Sequence, residues 1–145
     1  MTVRGTPMKN EKTFWMAVLA GFVTLAACDI LIHQVWLAKT YQELAHYWRP
    51  EAEMKERMWL IFLSEFSLAF LLAVIFPIGH EKKPPLAEGI RFGVLMGLLI
   101  YLPGILMKHY VYPYPTTLLA QWFVAGVGEI TLAGTVISLA YSKRK

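Results

Sequence analysis

Four apolar stretches, each near the roughly 20 residues that a helix needs to cross a bilayer, constrain this chain more than any other feature. They cover residues 14–38, 58–78, 90–107 and 117–141, with lengths of 25, 21, 18 and 25 in a chain of 145 residues. Lipid offers no partner to open backbone groups, so segments this long and apolar close their hydrogen bonds internally as helices. Composition agrees: 57% of the residues are hydrophobic and 17% charged, with a mean hydropathy of +0.46. Soluble domains carry an apolar share of about 45–50%. The expected fold is all-α, a polytopic membrane protein with one domain over residues 1–145 built as a four-transmembrane-helix bundle.

Charge sets the orientation. Arg4, Lys9, Lys12, Lys82, Lys83, Arg91, Lys143, Arg144 and Lys145 lie on one side of the apolar segments, and Lys39, Arg49, Lys55, Arg57 and Lys108 on the other. The positive-inside rule then places the N and C termini in the cytoplasm, which an even number of spans allows. The net charge of +4 does not indicate nucleic acid, because such a surface gathers its basic residues on one face with stacking aromatics between them. The lipid bilayer is the partner that this distribution implies.

The connections carry their own signatures. Residues 1–13 are polar and read as a short disordered lead. The outer connection, 39–57, mixes Glu43, Arg49, Glu51, Glu53, Lys55, Glu56 and Arg57 with Tyr41, Tyr47 and Trp48, suiting an amphipathic segment at the headgroups. Pro50 is placed to begin a short helix there. Residues 79–85, ending in Pro84-Pro85, form an inner turn that no helix crosses. The segment Tyr110-Val111-Tyr112-Pro113-Tyr114-Pro115 is expected to be extended, since a residue before proline is driven out of the helical region. Trp36, Tyr41, Tyr47, Trp48, Trp59, Tyr110, Tyr112, Tyr114 and Trp122 gather at the outer edge, as an aromatic belt or as the wall of a vestibule.

Gly89, Gly93 and Gly97 recur every four residues and form a smooth stripe that lets a neighbouring backbone approach. Gly126 and Gly134, beside the stripe of Ala125, Glu129 and Ala133, suggest a second close helix contact. Pro103-Gly104 is expected to kink or loosen the last turn of the third helix. Cys28, the single cysteine, excludes an internal disulfide, a CxxC pair and a thiolate zinc site. Leu25-Ala26-Ala27-Cys28 also matches a lipoprotein cleavage site, at which Cys28 would be lipidated. The apolar run continues past it to Ala38, however, and a signal peptide's apolar core spans only about 7–15 residues, which favours an intact first span.

Asp29, Glu65 and Glu129 lie within apolar segments, and His33 lies one helical turn after Asp29. A charged side chain at the bilayer centre costs about 2.5–3.5 kcal/mol, so these groups are expected to face the bundle interior, pair or carry a proton. At 1.5 Å of rise per residue they sit about 13 Å (Asp29), 7 Å (His33), 10 Å (Glu65) and 18 Å (Glu129) from the outer edge. All four then line one cavity in the outer half, with Glu129 at its floor, Ser64 and Gln121 as polar lining, and Lys108 and His109 at the mouth. Such a cavity suits proton- or cation-linked binding or transport. The same groups, hydrogen-bonded across helices, suit a non-catalytic accessory or assembly subunit of a larger membrane complex. Four helices enclose little volume, so a homo-oligomer or a larger complex is expected in either case.

No cofactor is expected. A divalent metal would take Asp29, His33 and Glu65, whose oxygen and imidazole donors suit a hard or borderline ion. A haem would need two facing histidines, and only His33 and His109 share a depth. The chain has no GxSxG, HExxH, P-loop or Rossmann pattern, so an enzyme is the less favoured class, with acid and base roles left open to Glu65 and His33.

Three further segments, Tyr-Trp-Arg-Pro-Glu-Ala-Glu-Met (47–54), Glu-Gly-Ile-Arg-Phe-Gly-Val-Leu-Met-Gly-Leu-Leu (88–99) and Val-Tyr-Pro-Tyr-Pro (111–115), fall in that order between the four spans. In this the chain resembles a group of small bacterial four-span proteins filed as a domain of unknown function. The resemblance covers most of the chain from Phe14 onward and implies a multi-pass protein of the bacterial cytoplasmic (inner) membrane. It implies no activity and no site residue.

Overall fold

The computed structural model describes residues 11–81 and 83–142, and among them there is no strand. Helix α1 spans Glu11–Asp29 and continues without a gap into a π-helical segment, Ile30–Trp36. The outer connection follows as α2 (Ala38–Glu43), a 3-10 turn (Ala45–Tyr47) and α3 (Glu51–Glu56). Three longer helices complete the chain: α4 (Trp59–Ile75), α5 (Pro85–Val111) and α6 (Thr116–Ser142).

Three helical stretches, Glu11–Trp36, Pro85–Val111 and Thr116–Ser142, are long and apolar enough to cross a membrane. Helix α4 is apolar but shorter, at 17 residues, so it reaches about 25 Å at 1.5 Å per residue. The expected residues 58–78 are therefore only partly helical, the chain turning at Phe76–Ile78. Of the basic residues used for orientation, Arg4, Lys9, Lys82, Lys143, Arg144 and Lys145 lie outside the described residues. So do residues 1–10 of the polar lead.

The expectation of an extended segment from Tyr110 to Pro115 needs adjustment. Helix α5 runs through Pro103 to Val111, and α6 starts at Thr116, so only residues 112–115 are left outside helices. The pre-proline restriction acts on Tyr112 and Tyr114 alone. Tyr112 is extended, with φ −113° and ψ 141°, whereas Tyr110 and Val111 close the last turn of α5. Pro50, by contrast, precedes α3 as expected, and Pro84 precedes α5 with Pro85 in its first turn.

The lateral order of the long helices is α4, α1, α6, α5, with the tightest pair α5 and α6. The glycine stripe explains that pair. A Cβ on Gly89 would lie 2.5 Å from Thr135 Cα, one on Gly93 2.5 Å from Thr131 Cα, and one on Gly97 3.0 Å from Val127 Cα. Gly134 answers from α6, 2.9 Å from Gly93 Cα. In lipid, where apolar burial gives helices no advantage over lipid tails, such close approach supplies the dispersion contact that holds them.

The core runs from the end that holds Glu11 and Ser142, the inner end on the expected orientation, where Phe14, Ala73, Phe76, Phe92, Ala133 and Ile137 are buried together, up to Leu25, Ala69 and Ile130. Phe76 packs edge-on against Phe92 and stacks on Tyr141, whose hydroxyl donates to the Ala73 carbonyl at 2.9 Å. A polar clamp completes this end. Glu88, buried at 1% side-chain exposure, accepts from Arg91 Nη2 at 2.6 Å and from the Glu81 backbone N–H at 3.1 Å. Arg91 also donates to the Gly79 carbonyl at 2.7 Å and pairs with Glu81 at 3.1 Å. Lys83 and Arg91 hold the Glu81 carboxyl below its ordinary range.

At its first turns α4 stands away from the other helices, while Leu37, Leu118 and Leu119 at the same end of the molecule are buried. Leu60, Ile61, Phe62, Leu63 and Phe66 of α4 are all exposed, on every face of that helix, while Ala69, Leu72 and Ala73 further along are buried.

Candidate functional site

Among the described residues, two open clefts lie in the half of the molecule that holds Asp29, Glu65 and Glu129. The first, of about 330 Å³, is lined by Leu25 and Asp29 of α1, Leu60, Ile61, Ser64, Glu65 and Leu68 of α4, Tyr101 of α5 and Glu129 of α6. The second, of about 240 Å³, lies between the π-helical segment, α5 and α6, and is lined among others by His33, Tyr101, Lys108, Trp122 and Glu129. Neither is an enclosed cavity.

The four expected site residues are thus brought to the same half of the molecule but divided. Asp29, Glu65 and Glu129 share the first cleft, with Ser64 beside them; His33 and Glu129 share the second, with Lys108. Gln121 and His109 line neither cleft. Glu129 does not form a single floor. It stands in the wall between the clefts, held there by Tyr101, whose hydroxyl donates to Glu129 Oε1 at 2.6 Å.

Tyr101 continues the stripe of Gly89, Gly93 and Gly97, four residues on. Opposite it, a Cβ on Gly126 would lie 2.1 Å from Tyr101 Cζ. Gly126 therefore receives a flat aromatic ring, whereas Gly134 meets the backbone of α5 at Gly93.

Asp29 closes the α-helical part of α1, and the wider π-helical turn begins at the next residue. Such π segments are uncommon and recur at functional sites. Across this junction His33 Nε2 faces Asp29 Oδ1 at 3.5 Å, the two side chains being 34% and 31% exposed. On its other side, His33 Nδ1 is in close hydrogen-bond contact with the Tyr41 hydroxyl. The Tyr41 oxygen also accepts from Trp122 Nε1 at 2.8 Å, and its backbone carbonyl accepts from Trp48 Nε1 at 3.2 Å. Burial pushes the Tyr41 phenol above its ordinary pKa, against a smaller opposite effect of the Trp122 hydrogen bond. The group is a neutral donor and acceptor.

The outer aromatics divide into two sets. Tyr41, Tyr47, Trp48, Tyr112, Tyr114 and Trp122 form one continuous ring cluster, with Trp48 stacked on Tyr114 at 5.6 Å and Tyr114 edge-on to Trp122 at 5.6 Å. The Tyr47 hydroxyl donates to the Pro113 carbonyl at 2.8 Å, tying the two outer connections together. Lys108 lies over the Trp122 ring at 5.6 Å, a cation–π arrangement. Trp36, Trp59 and Tyr110 stand apart from this cluster, at 53%, 60% and 86% exposure, as an interfacial belt requires.

No Lys or Arg is among the residues lining the first cleft. Glu65 Oε2 is buried without a hydrogen-bond partner. Among the described residues, no three His, Cys, Asp or Glu side chains come together as a metal-binding group. Cys28 is half-buried, on a helix that runs through it without interruption. What the site offers chemically is three proton-binding oxygen groups from three helices, next to an imidazole linked to the outer aromatic cluster.

Comparison with protein families, curated proteins and solved structures yields no match to this chain.

Proposed function

We propose that this chain is a four-span protein of the bacterial cytoplasmic membrane that binds and moves a proton or a small cation through its carboxylate-lined outer cleft. The supporting observation is the convergence of Asp29, Glu65 and Glu129 on one open cleft whose lining contains no Lys or Arg. Carboxylates at this depth are costly unless neutralised, and in the absence of a fixed cation the neutralising species is a proton or an incoming cation. Exchange of one for the other is coupled binding.

The course of α4 supports a fourth span. It begins beside the charged outer connection and ends at Phe76, which packs against Phe92 of α5 and Tyr141 of α6. Its 17 residues are within the range of about 17–25 that can cross a bilayer. With an even number of spans, the excess of basic residues beside the first, third and fourth segments favours cytoplasmic termini.

The test is proton flux in proteoliposomes, read with an internal pH dye under an imposed Na⁺ or K⁺ gradient. Asp29→Asn and Glu65→Gln keep side-chain shape and remove the titrating group, so each should abolish flux with helical content unchanged. Undiminished flux in both variants refutes the proposal.

One observation favours the second role, an accessory subunit: the outer half of α4 presents apolar side chains on all faces. Native mass spectrometry of the gently extracted protein separates the two roles. Stoichiometric foreign subunits point to the accessory role, and a bare homo-oligomer to a self-sufficient protein.

A further inference from the structure

The hydrogen bonds Trp122–Tyr41 and Tyr41–His33, with Asp29 Oδ1 lying 3.5 Å from the far ring nitrogen of His33, allow the protons to be placed. Trp122 Nε1 can only donate, so the Tyr41 oxygen accepts from it. Between Tyr41 and His33 Nδ1 two arrangements remain. If Tyr41 donates to Nδ1, the ring proton sits on Nε2 and faces the Asp29 carboxylate, which only accepts when ionised. Every donor then has an acceptor. If instead Nδ1–H donates to Tyr41, the phenolic proton is displaced and the bare Nε2 lone pair faces a carboxylate lone pair. That second arrangement becomes favourable only when Asp29 is protonated, because its hydroxyl then donates to Nε2.

We infer that His33 is the proton relay between the outer aromatic cluster and Asp29, and that Tyr41, anchored by Trp122, hands the proton to it and fixes its tautomer. In the uptake step the Tyr41 hydroxyl passes its proton to Nδ1 and takes one from bulk water, while the Nε2–H bond breaks and that proton joins Asp29 Oδ1. One proton enters, one carboxylate is neutralised, and His33 stays neutral with its proton moved from Nε2 to Nδ1. Lys108 and Tyr101 of α5 and Glu129 of α6 line the same cleft as His33, and Asp29 is its neighbour on the same helix.

The inference deepens the proton-linked proposal and rests on it for the purpose of the relay, but its test does not require flux. The full chain, labelled with ¹⁵N-histidine and held in nanodiscs at mildly alkaline pH, is examined by long-range ¹H–¹⁵N correlation. His33→Gln identifies the His33 signals among those of His46, His80 and His109. The expected result is a single neutral form with a proton on Nε2 and a bare Nδ1. Tyr41→Phe should convert it to two exchanging tautomers, with the other histidine signals unmoved.

A proton on Nδ1, or an imidazolium, in the unmodified protein overturns the inference. So does an unchanged single tautomer in Tyr41→Phe. Where Tyr41→Phe does not fold, Trp122→Phe tests the same anchor one step further out, and the unmodified protein still decides the resting tautomer. The Nε2–H form in a protein without flux refutes the transport proposal and leaves the tautomer assignment standing; flux with the Nδ1–H form does the reverse.

Discussion

Replacing Gly93 with alanine should force α5 away from α6. The added Cβ would meet Thr131 Cα at 2.5 Å, the Ile130 carbonyl oxygen at 2.8 Å and the Thr131 carbonyl oxygen at 2.9 Å. All three are backbone atoms on a helix, so none can swing aside. Ordinary carbon contacts lie at about 3.5–4.0 Å, which demands a separation of roughly 1 Å. A gap of about that size forfeits a quarter to a half of each dispersion well along the interface. Overpacking of this kind costs about 1–3 kcal/mol, against a gain of about 1 kcal/mol for alanine over glycine in a helix. Gly128, in α6, has nothing within 4 Å of its would-be Cβ, so Gly128→Ala receives the same gain without the clash. The difference between the two variants isolates the clash, and it should be about 1–3 kcal/mol in favour of Gly128→Ala. Unfolding by SDS in mixed micelles, followed by far-ultraviolet circular dichroism and tryptophan fluorescence, measures it. Equal stability of the two variants, or a more stable Gly93→Ala, would refute the close-contact argument. Gly89→Ala combined with Gly93→Ala should cost less than the sum of the two, because one separation of the helices relieves both clashes.

Gly126→Ala and Tyr101→Phe should be strongly non-additive, since a Cβ on Gly126 evicts the Tyr101 ring and either change ends the bond to Glu129. Tyr101→Phe alone should cost about 1–3 kcal/mol, and full additivity in a double-mutant cycle would count against the shared wall. At the inner end, Arg91→Met leaves the buried Glu88 carboxylate without its cation. It should lower thermal stability more than Arg49→Met, which breaks an exposed pair with Glu53; equal losses would contradict the clamp. Because the Glu81 carboxyl is held low in the folded chain, its contribution is complete above the unfolded value of about 4.3 and is lost as pH falls through the lower folded value. The protection factors of the Gly79 and Glu81 amides, taken relative to their intrinsic exchange rates at each pH, should therefore fall on acidification in the unmodified protein and lose that component in Glu81→Gln.

The clamp and the two clefts also mark where sequence reasoning stopped. The glycine stripe of the third segment was legible because a period of four maps onto one helix face whatever the tertiary context. Its next member, Tyr101, falls on the same face by the same period, but a tyrosine there gives no local sign that its ring fills the space over Gly126. Glu88 was harder to read. Three residues before Arg91 it looks like a solvated helix-end pair, and only the return of Gly79 and Glu81 over α5 buries it. Nothing in the local pattern links His33 to Tyr41, since a π-helical segment and the Leu37 turn between them set their mutual orientation. Trp122, 81 residues from Tyr41, meets it only through packing.

By itself the sequence determined the helical class, three of the four stretches it marked as able to cross a bilayer, the breaks at Pro50, Pro84 and Pro115, and the face by which α5 meets α6. These follow from local rules: hydropathy over a window, the fixed dihedral of proline, and the period of a helix. Tertiary structure alone decided that Asp29, Glu65 and Glu129 share a cleft, that Tyr101 and Glu129 divide it from a second one, and that His33 sits between Asp29 and Tyr41. Those relations depend on how helices rotate and cross. Axial depth can be counted along a chain, but the angle at which one helix presents a side chain to another is set by all the contacts acting together.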